Sequence, residues 1–191
     1  MTTRLAFLVT LGLVASASPG QILGEHEDRL AFRASDGRAT EFFGYALAVS
    51  GRVAAAGAFL HGNDNRGAAY IFRYDQNADV WNQEQKLQAS DGASGDEFGV
   101  DVDTTGSITV VGAFFDDIDG LANAGSAYVF RYDTDTTTWI EEQKLVPGDP
   151  ETGAQFGKAI AISGSVVVVG AALDDEGGNN AGAAYVYRYD A

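Results

Sequence analysis

Apolar and polar positions in this chain fall into short runs separated by turn residues, and the runs come back in the same order. The run RVAAAGA (52–58) returns as SITVVGA (107–113) and SVVVVGA (165–171). Such a run puts apolar side chains on both faces, which predicts a strand covered on both sides. Ahead of it lies a shorter run with period-2 alternation, in which Leu47 and Val49, or Ile160 and Ile162, share one face. Thr104 interrupts that alternation in the middle copy. Behind it come GAAYIFRYD (67–75), GSAYVFRYD (125–133) and GAAYVYRYD (182–190), whose alternating aromatic and branched residues suit a pleated surface. A fourth and more polar run, Trp81 with EQKL (84–87) and Trp139 with EQKL (142–145), reads as an edge strand. The pairs Phe43-Gly44, Phe98-Gly99 and Phe156-Gly157 open the three units at spacings of 55 and 58 residues, and Gly51, Gly106 or Gly164 follows each Phe by eight positions.

Four short strands in a unit of about 55 residues predict a β-propeller blade, and hence an all-β fold. The blades span about 38–92, 93–150 and 151–191. The third stops after Tyr189-Asp190, three strands in. FRASDG (32–37) matches LQASDG (87–92), so a strand at 28–35 stands at the N-terminus without a blade of its own and is expected to complete one. Gly57, Gly112 and Gly170 recur at the same place in the three central runs, which predicts a bend or a close approach that a side chain would block. They are not phosphate-binding glycines, because no helix follows them and no Lys stands where such a loop needs one. Propellers close with about four to eight blades, and three are encoded here. Three blades therefore imply a strand-swapped dimer of six blades, an open arc or fragment that does not close, or a crowded three-bladed ring. In an open arc the outer faces of the first and third blades would be apolar and uncovered, which implies self-association or a partner.

Composition agrees with a single turn-rich domain: 191 residues, 46% hydrophobic, with 24 Gly and 3 Pro. Residues 1–17 lie outside it. Arg4, the apolar run Leu5–Val14 and Ala15-Ser16-Ala17 have the layout of a signal peptide, followed by a linker at 18–27, so export to the periplasm, cell surface or medium is expected. That apolar run is too short to span a bilayer, and no later segment could do so. The absence of cysteine excludes disulfides, thiol catalysis and cysteine-ligated zinc. A net charge of −15, which becomes −16 without Arg4, disfavours nucleic acid and anionic lipid as partners.

Phe-Gly, then Ser-Gly, an apolar run into Gly-Ala, and Gly-x-Ala-Tyr-Val-Phe after an acidic loop resemble the FG-GAP repeats of integrin α-chains and of bacterial exported proteins. The resemblance covers residues 28 to 191 and is strongest to the bacterial subgroup, at LQASDGASGDEFGVDVDTTGSITVVGAF (87–114). It implies a secreted or cell-surface binding module, of an adhesion type, with a protein or glycan ligand at the variable loops. Two features depart from the family pattern. The Pro of Gly-Ala-Pro is replaced by Phe59, Phe114 and Ala172, and the acidic calcium loop between the first two strands has shrunk to Ser50-Gly51, Thr105-Gly106 and Ser163-Gly164.

The remaining candidates for chemistry lie in the next loops, 59–66, 114–124 and 172–181. Asp116, Asp117 and Asp119, with Asp174, Asp175 and Glu176 in the third unit, are the calcium candidates, and the first unit offers only Asp64. Carboxylates before Gly and Asn are also what an ordinary solvated turn uses, and this is the preferred reading, with no cofactor expected. Enzymatic signals are weak. His26 and His61 fall in the leader region and a loop, no Gly-x-Ser-x-Gly elbow occurs, and Asp96 and Glu97 read as a connection between blades. A propeller hydrolase or lyase acting on polysaccharide is the alternative to the binding module.

Overall fold

The computed structural model describes residues 31–189, and from Phe32 on they form one compact unit. The signal-peptide and linker expectations, His26 and residues 28–30 of the N-terminal strand lie outside the described residues. Those residues are all-β, in three antiparallel sheets. Blade 1 is β1 (Leu47–Ser50), β2 (Val53–Ala58), β3 (Ala68–Asp75) and β4 (Val80–Leu87); blade 2 is β5 (Val102–Thr104), β6 (Ile108–Ala113), β7 (Ser126–Asp133) and β8 (Thr138–Leu145). Blade 3 has three strands: β9 (Phe156–Ser163), β10 (Val166–Ala171) and β11 (Ala183–Arg188). Each sheet keeps its strands in chain order, as a meander does. The sheets do not close into a ring. No described helix is long and apolar enough to cross a membrane.

The recurring sequence yields recurring registers. Ala69 lies opposite Leu87 and Ala127 opposite Leu145. In both blades the pairing slips by one residue after Ile71 or Val129, so Glu84 and Glu142, the first letters of the two EQKL runs, become the extra residues of a β-bulge. A bulge re-aims a side chain. Glu84 accordingly accepts from Arg73 Nε and Nη2 at 2.6 and 3.0 Å and from Trp139 Nε1 of the next blade at 2.9 Å.

The central strands β2 and β6 are buried as expected, β2 along its whole length, whereas β10 is buried only at alternate residues, one of its faces having no described sheet against it. The core sits between sheets. Ala55, Ile71 and Leu87 of blade 1 pack against Phe98, Val111 and Phe130 of blade 2, and Val110, Val129 and Leu145 of blade 2 pack against Phe156, Val167 and Val169 of blade 3. The Phe of each Phe-Gly pair stands edge-on to two aromatics of the third strand: Phe43 to Tyr70 and Phe72, Phe98 to Tyr128 and Phe130, Phe156 to Tyr185 and Tyr187. Edge-to-face pairs of this kind contribute about 0.5–1.5 kcal/mol beyond burial.

Gly57 and Gly112 mark close approaches. A Cβ on Gly57 would lie 2.0 Å from the Gly99 carbonyl oxygen, and one on Gly112 would lie 1.9 Å from that of Gly157. The Gly of the second and third Phe-Gly pairs thus rests on the preceding blade's central strand. Gly170 differs. Its nearest neighbour would be the Ala159 Cβ at 3.4 Å, because no described sheet packs against it.

The uncovered faces expected of an arc are present. On blade 1, Leu47 and Val49 share a face but are 64% and 69% exposed, whereas Val102 at the equivalent place in blade 2 is buried. Residues 31–35 form no strand, since no described sheet lies beside them to pair with. Phe32 and Ala34 instead lie on blade 1 against Phe43, Phe72 and Trp81. Leu87 and Ala89 hold the corresponding place on blade 2.

Candidate functional site

Each blade carries an internal cluster of polar groups where the β2–β3 type of loop meets the segment leading into that blade. In blade 2 the Asp116 carboxylate is buried, and its Oδ2 accepts from Ser126 Oγ at 2.5 Å and lies 3.0 Å from the Tyr128 hydroxyl and 2.7 Å from Lys144 Nζ. Asp91, in the linker from blade 1, faces the same two partners, with the Tyr128 hydroxyl at 2.7 Å and Lys144 Nζ at 2.6 Å. The lysine is thus flanked by two carboxylates. Burial opposes its charge, but the bonds to Asp116 and Asp91 outweigh that and push its pKa up. Burial next to these carboxylates also pushes the Tyr128 hydroxyl well above its usual value.

Blade 1 builds the same cluster with one change of residue. Asp36 takes the place of Asp91, bonding Tyr70 and Lys86 at 2.8 Å each, and His61 takes the place of Asp116. His61 Nδ1 lies 3.2 Å from the Tyr70 hydroxyl and 3.1 Å from Glu41 Oε2, and its Nε2 lies 2.5 Å from Lys86 Nζ. Although burial raises the Glu41 pKa, the Arg38 and Gly62 N–H groups and His61 hold it below the usual carboxylate value. In blade 3, Asp174 and Asp149 both bond the Tyr185 hydroxyl, at 2.8 and 3.1 Å. No lysine joins them there, because the strand that would carry it is absent among the described residues.

This geometry fixes where the metal candidates stand. Asp116 is occupied by a lysine and two hydroxyls, and Asp174 by Tyr185 and the Glu176 N–H. Asp117 Oδ1 accepts from the Asn123 N–H at 2.8 Å and Asp175 Oδ1 from the Asn180 N–H at 2.5 Å, closing their own loops as turn carboxylates do. Asp119 is exposed, with φ at 52°. Among the described residues no three His, Asp or Glu side chains gather where they could hold one ion. Asp96 is buried, accepts from the Ala93 N–H at 2.5 Å and has its pKa pushed up by burial first and by Asp116 and Asp117 next. Glu97 lies at the blade junction, where its N–H donates to Asn65 O and burial pushes its pKa up.

The acidic loops therefore divide in two: inward groups that lock the fold, and Asp117, Asp119, Asp175 and Glu176 left exposed on one edge. Every blade repeats the plan. The family model for the FG-GAP repeat matches residues 29–72, 81–130 and 139–187. The chain belongs to the FG-GAP repeat family. No curated protein matches it. Within these FG-GAP repeats, Phe43-Gly44, Phe98-Gly99 and Phe156-Gly157 are the packing pivots, and Gly57 and Gly112 are the surfaces on which the second and third pivots rest. Sequence reasoning missed the clusters behind the loops. Their signal was the recurrence of Asp36, Asp91 and Asp149 at one distance from the Phe-Gly pair, together with the Lys of each EQKL.

Asp36 yields a pH prediction. The Lys86 bond, first among its causes, holds the Asp36 pKa at about 2 against 3.8. A carboxyl depressed in the folded state stabilises above its unfolded value and loses that contribution as pH falls toward the folded one. Asp36→Asn is therefore expected to lower stability at pH 7 and to flatten the loss of stability between pH 4 and pH 2, read as the melting temperature of both proteins across that window. Equal slopes would show that the Asp36–Lys86 pair contributes nothing, as exposed pairs often do.

Proposed function

We propose that this FG-GAP protein is a secreted or cell-surface binding module without catalytic activity, and that a protein or glycan ligand meets the loop edge formed by residues 59–66, 114–124 and 172–181. The observation that carries the reading is the division within those loops. Asp116, Asp174 and His61 are turned inward and satisfied, while Asp117, Asp119, Asp175 and Glu176 stand in solvent on loops whose ends are held by rigid strands. Loops anchored in this way display side chains without distorting the scaffold. The exposed carboxylates and asparagines favour a ligand bearing cationic or hydroxyl groups. The module works without a cofactor, and calorimetric titration of chelator-treated protein with calcium is expected to release no heat.

The test combines a glycan array and a panel of surface proteins with product analysis on every ligand retained. Asp119→Asn with Glu176→Gln is expected to weaken binding about tenfold, on the scale of two partly exposed charge contacts, with no change in melting temperature. Turnover of a retained polysaccharide would overturn the non-catalytic reading in favour of a propeller hydrolase or lyase. Undiminished binding by the double variant would move the ligand away from this edge.

A further inference from the structure

The two junctions between blades are made by the same backbone groups, and the two ends of the unit carry unmatched halves of a third. At the first junction the N–H groups of Glu97 and Phe98 donate to the carbonyls of Asn65 and Arg66, at 3.1 and 2.9 Å; at the second, those of Gln155 and Phe156 donate to Asn123 and Ala124, at 3.2 and 2.9 Å. The equivalent donors in blade 1 are Phe42 and Phe43, and the equivalent acceptors in blade 3 are Asn180 and Ala181. Among the described residues these four groups make no backbone hydrogen bond. Their backbone is nevertheless already set for one. Phe42 has φ at 54°, as Glu97 and Gln155 have 55° and 57°, and Asn180 has 52°, as Asn65 and Asn123 have 56° and 53°. A left-handed conformation is uncommon for a bulky aromatic residue and persists where its surroundings demand it.

The glycines give the same result. Gly99 and Gly157 bring their Cα within reach of the preceding blade, so that an added Cβ would lie 2.3 and 2.1 Å from the Ala68 and Ser126 carbonyl oxygens, while at Gly44 it would meet nothing within 4 Å. Gly170, the seat for such a glycine, is open as well. The side chains around these unmatched groups are apolar: Leu47, Val49 and Tyr45 on blade 1, Val186 on blade 3, each more than 60% exposed.

Among the described residues blade 3 has no fourth strand, which leaves a second gap. Between blades 1 and 2, Gln85 bonds the Trp139 backbone in both directions, at 2.7 and 2.8 Å. Gln143, its equivalent, instead lines a cleft of about 310 Å³ between blades 2 and 3, and nearby the buried Nη2 of Arg131 has no partner among the described residues. Phe32 and Ala34 meanwhile lie on blade 1 as the end of a preceding blade's fourth strand would.

We propose that two copies of this chain associate head to tail, blade 1 of each seating on blade 3 of the other, to close a two-fold ring of six blades. The occupant is a second copy because each end lacks what the other end presents: Phe42 and Phe43 N–H groups against Asn180 and Ala181 carbonyls, Gly44 against Gly170, and an N-terminal segment against the free edge of β11. One such contact made twice closes a ring, and six blades lie within the range of about four to eight that propellers use.

Gly170→Ala tests this with little cost to the single copy. The new methyl would meet the Ala159 Cβ at 3.4 Å and the Ala159 carbonyl oxygen at 3.7 Å, both ordinary contact distances, and Gly170 needs no positive φ. In the ring it would strike the partner copy's Gly44 carbonyl. Light scattering coupled to size exclusion is expected to give twice the chain mass for the parent and the single mass for Gly170→Ala, with unchanged far-UV circular dichroism and an apparent Kd raised at least about 100-fold. Leu47→Lys, on the opposite end, is expected to do the same. A parent that is monomeric up to about 100 μM, one that forms species larger than two copies, or a Gly170→Ala protein that stays dimeric would each overturn the ring.

Discussion

Gly112→Ala is expected to destabilise the fold by about 3 kcal/mol or more, among the largest effects for a single added methyl group, because the group has nowhere to go. Its Cβ would stand 1.9 Å from the Gly157 carbonyl oxygen and 3.2 Å from the Ile160 Cδ1. The first obstacle is backbone, which cannot rotate away as a side chain tip can. Gly112 does not have a positive φ, so the cost comes from contact between blades and not from dihedral strain. Blade 3 would have to lift from blade 2, exposing Phe156 and Val169, both fully buried there. Chemical denaturation monitored by Trp fluorescence and far-UV circular dichroism measures it. A loss below about 1 kcal/mol, the median for ordinary substitutions, would mean that the blades adjust more freely than this packing implies. Gly170→Ala, at the matching place in blade 3, would have no backbone atom closer than 3.7 Å, so its effect is expected to fall on association between copies and not on the fold of the single copy.

That pair shows how much of the fold the sequence made legible. Three recurrences of a small vocabulary specified the blades, the order of their strands and the glycines at which backbones meet, because a repeat announces itself without any partner being known. The alternation of Leu47 and Val49 correctly placed them on one face. That this face is bare was expected only of an open arc, one of three arrangements left open, since burial of a repeat's side depends on the blade before it. The bulges at Glu84 and Glu142 were not legible either, for they emerge only when EQKL is paired against the third strand and one residue is left over. The loop carboxylates were the least readable. Asp116 and Asp117 are neighbours of identical chemistry, yet one turns inward to a lysine 28 positions later and the other caps its own loop. Turn statistics favour acids at both positions and do not distinguish those two uses.

Lys144→Met is the second large effect expected, about 2–3 kcal/mol at pH 7, and its argument rests on what it leaves behind. The Asp116 side chain is 8% exposed and that of Lys144 is 26%. Removing one member of a fully buried pair costs about 3–5 kcal/mol because the other charge is stranded, and the part of Lys144 that remains in water reduces the figure. Asp116 would keep the Ser126 hydroxyl and share the single Tyr128 proton with Asp91, two neutral donors where a cation had stood. Asp116→Asn alone is expected to cost less, about 1 kcal/mol, since no buried charge is stranded and Lys144 retains Asp91. The double variant should then be more stable than the sum of the single losses implies, by a coupling of about 1–2 kcal/mol in a double-mutant cycle. The pH dependence provides an independent check. A lysine whose pKa is raised on folding contributes fully below its unfolded value of 10.5 and loses that contribution as pH rises through the higher folded one, so the parent should weaken above pH 10.5 more steeply than Lys144→Met does. Additive losses together with matching alkaline slopes would show that Asp116 is held by its hydroxyl partners alone. Blade 1, where His61 replaces the aspartate and Glu41 lies behind it, shows that the repeat tolerates a different buried group at this place provided that each polar atom still finds a partner.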